Sequence, residues 1–185
     1  MDYKKWLILA ASIFTAGIIT GFFAPADLIE GQLSGLEETA NALEGFSSLG
    51  VFLAILLKNA LVFMMAFAFA PVLLIYPVVT LFLNGWILSA VGVLFAREES
   101  LLAVIAGIIP HGIFELSAFV IAQAAALSFG AMAISSVFSR DARSQLGANF
   151  RQNLRYLGLG MALLIPAAAI ETFVTPFLLE KTLGI

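Results

Sequence analysis

Long apolar runs separated only by short polar turns constrain this chain more than any other feature. A backbone that crosses hydrocarbon must satisfy its own hydrogen bonds, and does so as helix. The runs are Trp6 to about Ala26, Leu49 to about Ala70, Val72 to about Ala96, an interrupted stretch from Leu101 to Phe138, and Leu157 to about Leu178. The uninterrupted ones reach the roughly 20 residues that cross about 30 Å of hydrocarbon at about 1.5 Å per residue. With 62% hydrophobic and only 11% charged residues, no part of the 185-residue chain is polar enough for a second, water-soluble unit. Residues 1–185 therefore read as one all-α, polytopic integral membrane domain. Cysteine is absent, which removes disulfides, thiolate nucleophiles and cysteine metal sites.

Charge sets the orientation. Lys4 and Lys5 precede the first run, and Arg140, Arg143, Arg151 and Arg155 follow the fourth, so the positive-inside rule places both groups in the cytoplasm. Ala24-Pro25-Ala26 resembles a signal-peptide cleavage site, but signal cores are only about 7–15 residues, and the first run reads as a retained span. Its Gly17 and Gly21 form a GxxxG pair, fit either for packing within the chain or for a homodimer contact. From Asp27 to Ser48 the chain is acidic, and Ile29, Leu33, Leu36, Ala40 and Leu43 make an amphipathic stripe, which predicts an extracytoplasmic lid or docking helix over 27–48. Pro71 separates the second and third spans, and Arg97 to Ser100 forms a polar turn.

Only one net crossing fits between that turn and the four arginines. Leu101 to Ile109 is too short to span, and Pro110-His111-Gly112 follows it. The reading is therefore a reentrant or broken half-helix ending at Pro110, then a full helix. Leu146, Phe150, Leu154 and Leu157 predict a separate basic interfacial helix over about 139–156. Pro166 and Pro176 predict kinks in the last span. The total is five crossings, N-terminus cytoplasmic and C-terminus extracytoplasmic.

Polar side chains inside hydrocarbon cost roughly 2.5–3.5 kcal/mol each at the bilayer centre when charged, so each needs a partner or a water-filled cavity. They are Lys58, Asn59, Asn84 beside Gly85, His111, Glu115, Gln123 and Glu171. His111 and Glu115 share a helix face. An economical arrangement pairs Lys58 with Glu115 or Glu171, with Asn59, Asn84 and His111 hydrogen-bonding to the carboxylate and to carbonyls freed at Pro110. Such a network either fixes helix partners or forms a proton- or ion-responsive transport site. One histidine without cysteine makes a poor zinc set, even with Glu115 and Glu171, and no metal is expected. Nucleotide-binding and hydrolase motifs are absent, and neither Asp2 nor Asp27 lies in a span, so an enzyme is not expected.

Lys58-Asn59, Phe82-Leu83-Asn84-Gly85 and above all the Pro110-His111-Gly112-Ile113-Phe114-Glu115-Leu116-Ser117-Ala118 string resemble the stage II sporulation protein M family, over about Leu49 to Gly130. The family often has Asn-Asn where Lys58-Asn59 stands, and proline where Ser117 stands. The resemblance implies a membrane scaffold for peptidoglycan-degrading proteins in endospore formers, without catalytic residues of its own. It transfers Asn59, Asn84, Gly85, Pro110, His111, Gly112 and Glu115 as a structural or binding centre. The expectation is a non-enzymatic scaffold or accessory subunit, a homodimer in the lipid bilayer with a membrane or extracytoplasmic protein partner, and neither cofactor nor nucleic acid. A small oligomeric transporter or channel is the alternative.

Overall fold

The computed structural model describes residues 3–25, 28–29, 31, 38, 41–42 and 45–184. Six helices are labelled here in chain order: α1 (Tyr3–Gly21), α2 (Ser48–Phe69), α3 (Ile75–Glu98), α4 (Leu101–Phe138), α5 (Arg140–Phe173) and α6 (Thr175–Leu183). Serines start three of them. The hydroxyls of Ser47, Ser100 and Ser139 accept from the amides of Gly50, Ala103 and Ala142, supplying partners that the first turn of a helix lacks. Five candidate spans are long and apolar enough to cross a membrane, α5 and α6 together forming the fifth. Their outward faces carry large apolar side chains such as Leu57, Leu61, Ile105, Ile113 and Ile165, as a hydrocarbon solvent requires. The acidic helix expected over 27–48 falls largely outside the described residues. Ile29, on its stripe, is buried.

The centre of the bundle is α4, which packs against all five other helices. Seven consecutive residues, Ala122 to Ser128, are buried on every side of it. The small side chains of Ala122 and Ala124–Ala126 let neighbours approach closely. Helix α2 runs parallel to α4, with Phe63 against Phe119 and Phe67 stacked on Phe129. Helix α5 returns antiparallel, with Gly160 against Ala118 and Asn153 against Ser128.

Helices α1 and α3 lock through glycine. Side-chain-free Gly17 and Gly21 sit against the carbonyls of Phe82 and Trp86, and Gly85 sits against that of Phe14. A Cβ at any of the three would strike backbone. The GxxxG face is thus taken up inside one chain, which removes the contact on which a dimer through Gly17 and Gly21 was predicated.

Two expectations are corrected. The chain does not break or turn back at Pro110: α4 is one helix of 38 residues with Pro110 in its interior. Proline costs its own amide donor and crowds the preceding turn, but packing against five helices outweighs that loss, and membrane bundles tolerate it. The single crossing demanded by charge is met by a helix about 57 Å long at about 1.5 Å per residue, much longer than hydrocarbon is thick. Nor is there a separate interfacial helix over 139–156. That segment is the first half of α5, a continuous 34-residue helix that also runs through Pro166. Pro176 lies in the first turn of α6, after the chain leaves α5 at Val174.

On α5 the apolar stripe divides between an outward-facing part and Leu157, which joins the buried face. Phe150 and Leu154 are exposed, whereas Asn149, Asn153, Leu157 and Gly160 are buried. Asn153 Nδ2 donates to Ser128 Oγ at 3.1 Å and to Asn149 Oδ1 at 3.0 Å. Two amides meet a hydroxyl between antiparallel helices, so the polar side turns inward and pairs there, with Asn153 Oδ1 left without a partner among the described residues.

Candidate functional site

Midway along α2, Asn59 faces the middle of the bundle, and its Nδ2 donates to Glu115 Oε1 at 3.1 Å. Helical spacing on α4 puts His111 one turn before Glu115, on the same face. His111 Nε2 lies 3.9 Å from Glu115 Oε2, with side chains 13% and 31% exposed. The antiparallel return of α5 adds Glu171, and one ligand atom from each of His111, Glu115 and Glu171 falls within 4.8 Å of the others. The start of α6 closes the far side: His111 Nδ1 is 3.3 Å from Thr175 Oγ1. Four helices therefore converge on three ionisable side chains.

Beside this trio lies a cavity of about 210 Å³ lined by Phe14, Asn59, Asn84, Glu115 and Phe119, among others. Glu115 forms part of both, with Asn59 on one oxygen and His111 nearest the other. Asn84 borders the cavity but donates to the Thr80 carbonyl of its own helix at 2.8 Å. It helps make the wall polar without touching Glu115.

The remaining predicted residues divide. Lys58 is exposed and makes no ion pair with Glu115 or Glu171 within 4.0 Å among the described residues, although its charge acts on both. The expected direct lysine–carboxylate pair is replaced by the Asn59 hydrogen bond, because adjacent helical residues point about 100° apart and only one can face inward. Gly85 belongs to the α1–α3 seam. Gly112 is buried on α4, where a Cβ would make only ordinary contact with Ile108. Pro110 precedes the trio by one residue and leaves the helix intact. Gln123 is fully buried, with neither amide atom partnered among the described residues.

Ser117 Oγ donates to the Ile113 carbonyl at 2.6 Å and so is engaged with its own helix rather than with His111. Sequence reasoning missed Thr175, an ordinary threonine in the last polar stretch. It also missed Tyr3, whose hydroxyl donates to the Ile121 carbonyl at 2.7 Å while its ring stacks on Tyr156 at 3.5 Å. A tyrosine near a lysine pair at the start of a span is the one signal that pointed to an interfacial anchor.

What the trio offers is a set of oxygen and nitrogen lone pairs in a sheltered place, suited to a proton, a cation or a helix-locking network. Neither the curated proteins nor the solved structures yielded a match. The model of the family described as Stage II sporulation protein M matches residues 10–176, from within α1 to the start of α6, and so well beyond the central motif. The chain belongs to the stage II sporulation protein M family.

Proposed function

We propose that this protein is a non-enzymatic membrane scaffold or accessory subunit, in which the Asn59–Glu115–His111–Glu171 centre fixes the helices and the α4–α5 hairpin presents a rigid surface to a protein partner. The observation that carries this reading is the length of the hairpin. At 38 and 34 residues, α4 and α5 exceed what the hydrocarbon needs, and their joined ends carry Arg140, Arg143 and Arg151. The orientation expected from charge is supported by position: Lys4 lines a cleft together with Gln152 and Tyr156, which gathers the N-terminal lysines and the hairpin arginines at one end. That end is cytoplasmic in this reading, and the α6 end is extracytoplasmic. Self-association uses faces other than Gly17 and Gly21. The acidic 27–48 segment is a second place for a partner, on the outer side.

Because 139–156 is part of a spanning helix, deletion would destroy the fold. The test is charge reversal of Arg140 and Arg143 with photo-crosslinkers at neighbouring exposed positions in native membranes. Partner adducts should disappear in the reversed protein while its helicity and monodispersity stay unchanged. Identical adducts in both proteins would remove the hairpin from the proposal.

The cavity beside Glu115 favours a second reading, a small oligomeric transporter or channel. In that case proteoliposomes show a pH-dependent flux that His111→Ala or Glu115→Gln abolishes with folding intact. In the scaffold reading, Glu115→Gln lowers the yield of folded protein and liposomes stay ion-tight.

A further inference from the structure

His111 and Glu115 are not hydrogen-bonded to each other. Their facing atoms, Nε2 and Oε2, stand 3.9 Å apart, beyond the roughly 2.7–3.2 Å of a hydrogen bond. Two donors that share an ion at about 2.0–2.2 Å in tetrahedral geometry stand about 3.3–3.6 Å apart, so side-chain movements of a few tenths of an ångström would close this gap onto an ion. Each donor is also held from behind. Thr175 Oγ1 sits at 3.3 Å from His111 Nδ1, and when it accepts the Nδ1 proton, Nε2 keeps its lone pair. Asn59 holds Glu115 Oε1 and turns Oε2 toward His111. Such outer partners orient the ligands of metal ions generally.

Glu171 completes the set from α5, all three ligand atoms lying within 4.8 Å of one another. Charge argues the same way. Two carboxylates, Glu115 on α4 and Glu171 in the last turn of α5, have oxygens within 4.8 Å of each other and no cation in ion-pair contact among the described residues, an arrangement that is costly in a low-dielectric bundle unless something positive enters. One imidazole nitrogen with two carboxylates is a donor set for first-row divalent ions rather than for calcium, which prefers oxygen alone.

We infer that His111, Glu115 and Glu171 form a binding site for a divalent first-row transition-metal ion that ties α4 to α5. This goes beyond the scaffold reading and does not depend on it. The test uses the full chain in a neutral detergent, purified without a histidine tag and titrated with Mn²⁺. Electron paramagnetic resonance follows the loss of the free-ion signal. The chain contains a single histidine, so nitrogen modulation from an imidazole on the bound ion assigns it to His111.

The expected result is one Mn²⁺ per chain with that modulation, displaced by Zn²⁺, lost in Glu171→Gln and retained in Glu180→Gln. Thr175→Val, which keeps all three ligands, should weaken binding by roughly 10-fold or more. Absence of saturable binding, as when the two carboxylates share a proton instead, overturns the proposal. So does bound Mn²⁺ without imidazole nitrogen, or equal binding by Glu171→Gln. Should Glu171→Gln fail to fold, the nitrogen signature and Thr175→Val still decide.

Discussion

Two neighbouring residues, Lys58 and Asn59, show how differently single side chains weigh in this bundle. Lys58 is exposed and out of ion-pair contact, whereas Asn59 donates to a sheltered Glu115 carboxylate. Removing the donor leaves that oxygen unpaired, at a cost of about 1–3 kcal/mol or more for a charged acceptor. Asn59→Leu should therefore lower stability by about that amount in a reversible denaturant titration in mixed micelles. Lys58→Met should not lower it, because an exposed lysine halfway along a spanning helix without an ion-pair partner among the described residues is itself costly there; a loss equal to that of Asn59→Leu would contradict the geometry. The importance of Glu115, His111 and Glu171 was legible because an ionisable residue inside an apolar run has few explanations. Which of Lys58 and Asn59 faces inward was not, since both orientations are compatible with the same run of letters. Thr175 gave no signal at all, because its role exists only once α6 folds back beside His111.

At the scale of elements, glycine and proline act in opposite ways to their reputations. Gly17, Gly21 and Gly85 hold α1 to α3 by leaving room for backbone. Gly17→Val should cost at least the roughly 1–3 kcal/mol of overpacking and lower the melting temperature in detergent without changing the oligomeric state. A stable protein with altered self-association would instead place that face between subunits. Pro110 lies inside an unbroken helix. Pro110→Ala restores a donor to the preceding turn, so the melting temperature should stay equal or rise; a fall would show that an interruption was required.

In the α4–α5 hairpin, Ser128→Ala removes the hydroxyl that accepts from both Asn149 and Asn153 and leaves the buried Asn149 Nδ2 short of a partner, for an expected loss of about 1–3 kcal/mol. The pattern of apolar runs located the spans to within a few residues. It does not reach 101–138 and 139–173, where the helices run well past the thickness of the hydrocarbon and the apolar runs alone carry no sign of the buried asparagines at 149 and 153.

For the whole molecule, alternation of helix direction and the distribution of basic residues predict five crossings with opposite termini on opposite sides. The cysteine-free chain makes this directly measurable. In intact cells, a membrane-impermeant maleimide should label Glu180→Cys and leave Ser144→Cys unlabelled until the membrane is opened. The reverse pattern would invert the topology, and labelling of both would change the number of crossings. By itself the sequence determined the solvent, the helical class, the number of candidate spans, the family and the presence of a polar centre, because hydropathy and ionisable residues in hydrocarbon are properties of composition and order. Only the tertiary structure decided that α4 and α5 run unbroken, that the glycine face is spent within one chain, and that Asn59 and Thr175 rather than Lys58 attend the centre. Those outcomes depend on which side of each helix meets a neighbour, and that is fixed by packing between segments far apart in the chain.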